Sequence, residues 1–282
     1  MKVLVTGGKG QLGSEVIRQL KERGTECLGA DLPDMDLTDA ASVMRIVQEY
    51  SPDAVIHCAA YTDVDKAESA PEICTAINAS GTVNVIRAAL SVGAKLVYLS
   101  TDYVFSGEGE TPWEINDPYG PKNVYGLSKM QGEDAVRSLM TRYFIVRTSW
   151  LFARNGRNFV RTMLRLGREK KELRVVDDQV GSPTYAPDLA RVLCELVQTD
   201  KYGIYHVRNE GYLSWAEFAG MIMKKAGLAC RIIPVSSSEY QTPARRPLNS
   251  RLSGTQMARA GIAPLPSVED ALDRCLAEIR EV

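Results

Sequence analysis

No stretch constrains this chain more than its first thirteen residues, Met-Lys-Val-Leu-Val-Thr-Gly-Gly-Lys-Gly-Gln-Leu-Gly. An apolar run over Lys2–Thr6 leads into a turn that fits G-x-G-x-x-G through Gly8, Gly10 and Gly13, and three-residue glycine spacing through Gly7, Gly10 and Gly13. Without a Cβ, such residues accept positive φ and close backbone approach, and a helix opening at Gln11 aims its free N–H groups at the turn. A tight strand–helix connection is the plainer reading of glycines alone. Placed after a first strand and at the head of a first helix, however, they predict a turn that cradles a dinucleotide pyrophosphate.

The rest of the first half alternates short aliphatic runs with helical periodicity, which predicts an α/β, Rossmann-type doubly wound parallel sheet. Strands are expected at Lys2–Thr6, Thr25–Ala30, Ala54–His57, Lys95–Ser100 and Phe144–Arg147, with helices over Gln11–Arg23, Ala76–Val92 and Lys122–Met140. After about residue 150 the elements shorten. Helices are expected at Phe159–Gly167, Asp188–Gln198, Trp215–Ala226 and Val268–Ile279, and strands at Arg174–Val176, Gly203–Val207 and Arg231–Pro234. The division read from this change is a dinucleotide-binding domain over 1–150, with returns from the later chain, and a smaller C-terminal α/β substrate-binding region over 151–282.

Charge narrows the partner. With 34 basic and 35 acidic side chains the net charge is −1, so no basic field exists to capture nucleic acid or an anionic membrane surface. No apolar run is long enough to span a bilayer, and the first strand starts at once without a signal-peptide core. Six scattered cysteines without CxxC spacing read as reduced core residues of a cytoplasmic protein. A small-molecule substrate and a monomer or homodimer are expected. His57 and His206 sit at strand ends without ligand spacing and read as structural.

Asp31 closes the second strand, where a carboxylate can accept hydrogen bonds from ribose hydroxyls and repel a 2′-phosphate. That favours NADH over NADPH. Asp36 and Leu37 follow in an aspartate-rich segment that also fits a solvated loop. Tyr125 and Lys129 are four apart in an expected helix and so share a face, where the ammonium would draw the phenol's pKa down. A phenol so placed can protonate the oxygen of a ketone as hydride arrives. The strand Lys95–Ser100 ends in Ser100 and Thr101, hydroxyls at the end of the sheet where ligands of such folds bind.

Together with Ala59-Ala60-Tyr61-Thr62-x-Val64-Asp65-x-Ala67-Glu68, Ser100-Thr101-Asp102-Tyr103, Arg147-Thr148-Ser149-Trp150 and Arg246-Pro247-x-Asn249-Ser250, these motifs resemble the extended short-chain dehydrogenase/reductases, and among them the dTDP-4-dehydrorhamnose reductases. The resemblance spans the chain. It implies hydride transfer from NAD(P)H to the 4-keto group of dTDP-4-dehydro-β-L-rhamnose, giving dTDP-L-rhamnose for polysaccharide synthesis. Tyr125 would be the proton donor, Lys129 its partner and Thr101 the hydroxyl that orients the ketone. Gly7, Gly10, Gln11, Leu12, Gly13, Asp31, Asp36, Leu37, Ala60, Tyr61 and Thr62 would line the cofactor with Tyr125 and Lys129. Thr101, Asp102, Trp150 and Arg246 would meet the sugar nucleotide, Arg245 and Arg251 lying in the same polar loop. Relatives with Mg²⁺ at an acidic dimer contact bring Glu15 and Asp188 into view, without a clear third ligand. A reductase of another nucleotide-linked keto-sugar, or a non-catalytic subunit like the methionine adenosyltransferase β subunit, is compatible with the same motifs.

Overall fold

The computed structural model describes residues 1–280, and six parallel strands form its central sheet. They are β1 (Lys2–Thr6), β2 (Glu26–Ala30), β3 (Ala54–His57), β4 (Lys95–Thr101), β5 (Tyr143–Thr148) and β6 (Gly203–His206), arranged β6-β5-β4-β3-β1-β2. Continuous apolar runs are what such strands require, because helices cover both sheet faces. Accordingly β3 and β4 are buried along their whole length and β1 from Val3 onward. From β1 the chain passes to β2 on one side and then to β3 on the other, which makes the carboxyl ends of β1 and β3 the topological switch point. The doubly wound expectation is borne out.

One face carries the helices Gln11–Glu22 and Ala186–Leu196, packed through Leu12, Val16, Leu20, Leu189 and Leu193. Burying a side chain such as Val16 or Leu20 is worth about 1.5–3 kcal/mol. The other face carries Ala40–Tyr50, Gly81–Ser91 and Val124–Leu139. A smaller lobe forms around Phe152, Tyr185 and Phe218, with the helices Phe159–Glu169, Trp215–Ala226 and Val268–Arg280 beside the parallel strand pair Glu172–Val176 and Arg231–Val235. Among the described residues no helix is long and apolar enough to cross a membrane. All six cysteines are free thiols, four of them buried.

Several short elements go beyond expectation, and two longer ones depart from it. The helix Ala40–Tyr50 was not foreseen, because the aspartates before it read as a loop. Asp39 is in fact its N-cap, accepting from the Ala41 N–H at 2.9 Å, and Val43 and Val47 form its buried face. The helix expected over Ala76–Val92 instead opens with an α-helical turn at Pro71–Thr75, widens into a π-helical turn over Ala76–Ser80 and resumes as α-helix over Gly81–Ser91. The wide turn sits where buried Asn78 turns its amide onto the backbone of Tyr61, a tertiary demand that periodicity does not record.

Candidate active site

At the switch point Gly7 takes φ +68°, and a Cβ there would lie 2.8 Å from the backbone nitrogen of Ala59, so the β1 and β3 loops touch through this glycine. A Cβ on Gly13 would lie 2.1 Å from the Gly7 carbonyl oxygen. The helix that follows begins at Gln11 after Gly10, with neither a side-chain cap nor an acidic residue in its first turn. Its N-terminal N–H groups and partial positive charge suit a phosphate. Gln11 directs its amide sideways, accepting from Asn158 at 2.8 Å, and Leu12 packs into the core, so only their backbones face the turn.

Asp31 lies just past β2 and accepts from the Lys9 N–H at 3.0 Å and the Leu32 N–H at 2.9 Å, which fixes it at the rim of the glycine turn. Asp36 is taken up by Thr38, whose N–H and hydroxyl donate at 2.8 and 2.7 Å and draw the carboxyl below its usual range. Leu37 is buried against Gly81, contributing wall rather than polar contact. Ala60, Tyr61 and Thr62 follow β3, and Asn78 holds both the N–H (2.8 Å) and the carbonyl (3.0 Å) of Tyr61. His57 is tied between Thr6 (2.6 Å) and Thr82 (3.2 Å), and burial lowers it to about 3. His206 lies 3.3 Å from the Arg147 guanidinium and is likewise lowered to about 3 by burial.

β4 runs one residue further than expected and ends on Thr101. Its hydroxyl donates to Asp102 at 3.0 Å and lies close enough to the phenol of Tyr125 to draw that group's pKa down. Tyr125 occupies the first turn of Val124–Leu139, a helix capped by Asn123, which accepts from the Gly126 N–H at 2.7 Å. One turn on, Lys129 is buried with its ammonium 4.1 Å from the centre of the Tyr98 ring. Thr101, Tyr125 and Lys129 are thus brought together.

The electrostatics reverse one expectation. Lys129 was expected to draw the Tyr125 phenol down. Instead burial first, and the Asp102 carboxylate second, push that phenol up, with the Thr101 hydrogen bond opposing. Burial also lowers Lys129 to about 7, against the upward pull of Glu133. Desolvation penalises both charged forms, and Asp102 rather than Lys129 is the leading charge at the phenol.

Asp102 is buried, and burial raises its carboxyl to about 7 while Ser250 and Thr101 oppose. Its Oδ2 and the Ser250 hydroxyl are both buried without a hydrogen-bond partner of good geometry. Ser250 and Tyr103 were not among the expected site residues, although both fall inside the quoted motifs. Tyr103 stands edge-on to Tyr125, with ring centres 5.6 Å apart.

Trp150 adopts φ +50°, a conformation uncommon for a side-chain-bearing residue, and stacks on Trp215 with ring centres 3.5 Å apart. Trp215 heads its own helix, and only the tertiary structure pairs the two indoles. Arg246 forms a paired ion bridge with Asp65 at 3.0 and 2.7 Å. Arg251 donates to Asn249 at 3.0 Å, and the Arg245 side chain is exposed. Glu15 is clasped by Arg18 and Gln19, and Asp188 by Arg274 and Asn209. Those carboxylates serve cationic and amide partners, and no metal-type group of three forms among the described residues.

A glycine turn at the switch point of a parallel sheet, facing a strand-end threonine and a buried tyrosine–lysine helix, defines a dinucleotide-binding fold of the extended short-chain dehydrogenase/reductase class. The chain belongs to the family described as RmlD substrate binding domain, whose model matches residues 1–281. It is 44% identical to the spore coat polysaccharide biosynthesis protein SpsK of Bacillus subtilis (strain 168), covering 93% of each chain. It is 39% identical to a dTDP-4-dehydrorhamnose reductase of Sinorhizobium fredii, over 97% of this chain and 96% of the relative. A crystal structure of dTDP-4-dehydrorhamnose reductase from Bacillus anthracis in complex with NADP superposes with a TM-score of 0.96 at 43% identity, over 98% of this chain and 99% of that one.

Proposed function

We propose that this protein is an NAD(P)H-dependent reductase that converts the 4-keto group of dTDP-4-dehydro-β-L-rhamnose into the hydroxyl of dTDP-L-rhamnose. The observation that carries the reading is the convergence of Thr101, Tyr125 and Lys129 at the carboxyl end of β4, beside the glycine turn. The relatives bearing that name, and the NADP in one of their structures, support it.

A bound nicotinamide cofactor supplies the hydride, which adds to the ketone carbon. Gly7 and the backbone from Gly10 to Gly13 hold its pyrophosphate, Asp31 its adenosine ribose, and Ala60 to Thr62 with Asp36 and Leu37 the surrounding wall. The Thr101 hydroxyl and the Tyr125 phenol grip the ketone oxygen. As that oxygen gains charge, the proton on the Tyr125 hydroxyl moves to it. The proton passes from one buried oxygen to another, so burial penalises the phenolate and the forming alkoxide alike and does not by itself bar the transfer. Lys129 holds the nicotinamide ribose and, when charged, stabilises the phenolate left behind.

Asp102 Oδ2 and the Ser250 hydroxyl, buried with hydrogen-bonding capacity to spare, receive sugar hydroxyls, and Trp150 offers its flat face. Arg246 stands toward the diphosphate. Asp31 favours NADH, and the enzyme acts in the cytoplasm as a monomer or homodimer. Similarity to a spore coat polysaccharide protein favours a second destination for the same chemistry, a nucleotide-linked keto-sugar committed to a surface polysaccharide.

The test is loss of nicotinamide absorbance with the dTDP-keto-sugar, run with NADH and with NADPH. Turnover with either supports the proposal. No turnover by folded, cofactor-binding protein favours the regulatory-subunit reading, and turnover only with a different keto-sugar favours the second destination.

A further inference from the structure

The polar segment 236–251 spans from the smaller lobe to the start of the helix that carries Tyr125. At one end Asp178 accepts from the Ser236 hydroxyl at 3.0 Å and the Ser237 N–H at 2.9 Å. At the other, Asn249–Ser250 pairs with Val180–Gly181 as a short parallel strand. Between these anchors Tyr240 is exposed, and the segment meets the dinucleotide-binding side through Ala244–Arg246.

There Asp65 gathers three donors: Arg246 Nη1 at 3.0 Å, Arg246 Nη2 at 2.7 Å and the Ala244 N–H at 3.2 Å. Asp65 lies in the first turn of the helix Val64–Ser69, directly after the Ala60–Thr62 loop. Glu68 of the same helix accepts from the Val124 N–H at 2.8 Å, and Asn123 donates to the Arg245 carbonyl at 2.9 Å. Three segments are therefore knotted at the N-terminus of the Tyr125 helix. Arg246 is also near enough to Tyr103 to influence its phenol, and Tyr103 stacks edge-on against Tyr125.

We propose that the Asp65–Arg246 pair is a latch that holds segment 240–247 as a strap against the Tyr125 helix, making Asp65 a positioning residue for the sugar nucleotide. This rests on the reductase reading. Asp65 acts through Arg246, aiming the guanidinium, and fixes the strap while leaving cofactor contacts alone. A bidentate pair closed by a further backbone N–H is more rigid than a simple surface ion pair, so loss of one carboxylate oxygen loosens the strap around Arg246 and leaves the Asn123–Arg245 bond as its remaining tie to the Tyr125 helix.

The test uses the full chain and Asp65→Asn, with Asp65→Glu as the conservative companion. For Asp65→Asn the KM for the dTDP-keto-sugar rises about tenfold, equivalent to about 1.4 kcal/mol, while kcat stays within about twofold and cofactor affinity and melting temperature hold. Asp65→Glu recovers part of the affinity. Trypsin cleavage after exposed Arg245 accelerates in Asp65→Asn and reads the strap without any turnover. Faster cleavage of the variant with no wild-type activity would leave the latch standing and remove the substrate assignment. Wild-type KM and wild-type cleavage in an active Asp65→Asn enzyme would overturn the latch. Parallel losses of kcat, cofactor affinity and melting temperature at unchanged KM would overturn it too, since they mark a purely structural role.

Discussion

Lys129 holds its ammonium 4.1 Å from the centre of the Tyr98 ring, one helical turn from Tyr125, in a site dry enough to lower the lysine to about 7. The sign of the resulting pH dependence is fixed. An unfolded lysine titrates near 10.4, so between about 7 and that value the unfolded chain binds more protons and stability rises with pH. Below about 7 both states are charged and the burial penalty is complete. Lys129→Met is therefore expected to be more stable than the parent at pH 6 by about 1–3 kcal/mol, an advantage that fades as pH climbs toward 10. Denaturant melts of both proteins across that range check it; a constant difference would contradict the buried, depressed lysine.

Glu133 and Arg147 form a fully buried pair behind the same site, joined at 2.7 Å, with Ser100 and Tyr119 completing the carboxylate's hydrogen bonds. Removing one partner leaves an uncompensated buried charge, which typically costs about 3–5 kcal/mol. Glu133→Ala should lose stability on that scale in chemical denaturation. A loss below about 1 kcal/mol would mean that the arginine finds water or another partner.

Much of this architecture is legible in the sequence because parallel strands must be apolar on both faces. β1 and β3 end where the aliphatic runs end, and Trp215–Ala226 lies between Ser214 and Gly227, a capping box and a left-handed stop. The shared helix of Tyr125 and Lys129 is legible from their spacing, whereas Thr101 rather than Ser100 is singled out by the family resemblance. What spacing does not carry is dielectric. Two residues four apart on a helix are adjacent whether wet or dry, and the dry setting reversed the expected shift of Tyr125. Long-range partners are equally silent. Asp65 and Arg246 are 181 residues apart, and the Trp150–Trp215 stack joins elements with no shared local signal.

The proposed preference for NADH rests on Asp31, which sits beside Lys9, whose ammonium reaches the Leu32 carbonyl at 2.7 Å. Asp31→Ser removes the repelling carboxylate and leaves that cation nearby. The ratio of kcat/KM for NADPH to that for NADH should rise about tenfold or more, of the order of 1.4 kcal/mol. Initial rates at limiting cofactor measure it, and an unchanged ratio would place the discrimination elsewhere.

Trp215 supports Trp150 face to face. Trp215→Ala should raise the KM for the sugar nucleotide several-fold with little change in cofactor affinity, and should alter the tryptophan emission of the free protein. Steady-state kinetics and fluorescence on the same preparation decide it. An unchanged KM would make the stack a packing feature of the smaller lobe alone.

The proton-donor role of Tyr125 is tested most directly by Tyr125→Phe, which deletes one oxygen and keeps the ring that meets Tyr103. Measured with the dTDP-keto-sugar, turnover should fall by about 10²–10⁴-fold while the cofactor Kd stays within about twofold. A variant that turned over the keto-sugar at the parent's rate would contradict the assignment.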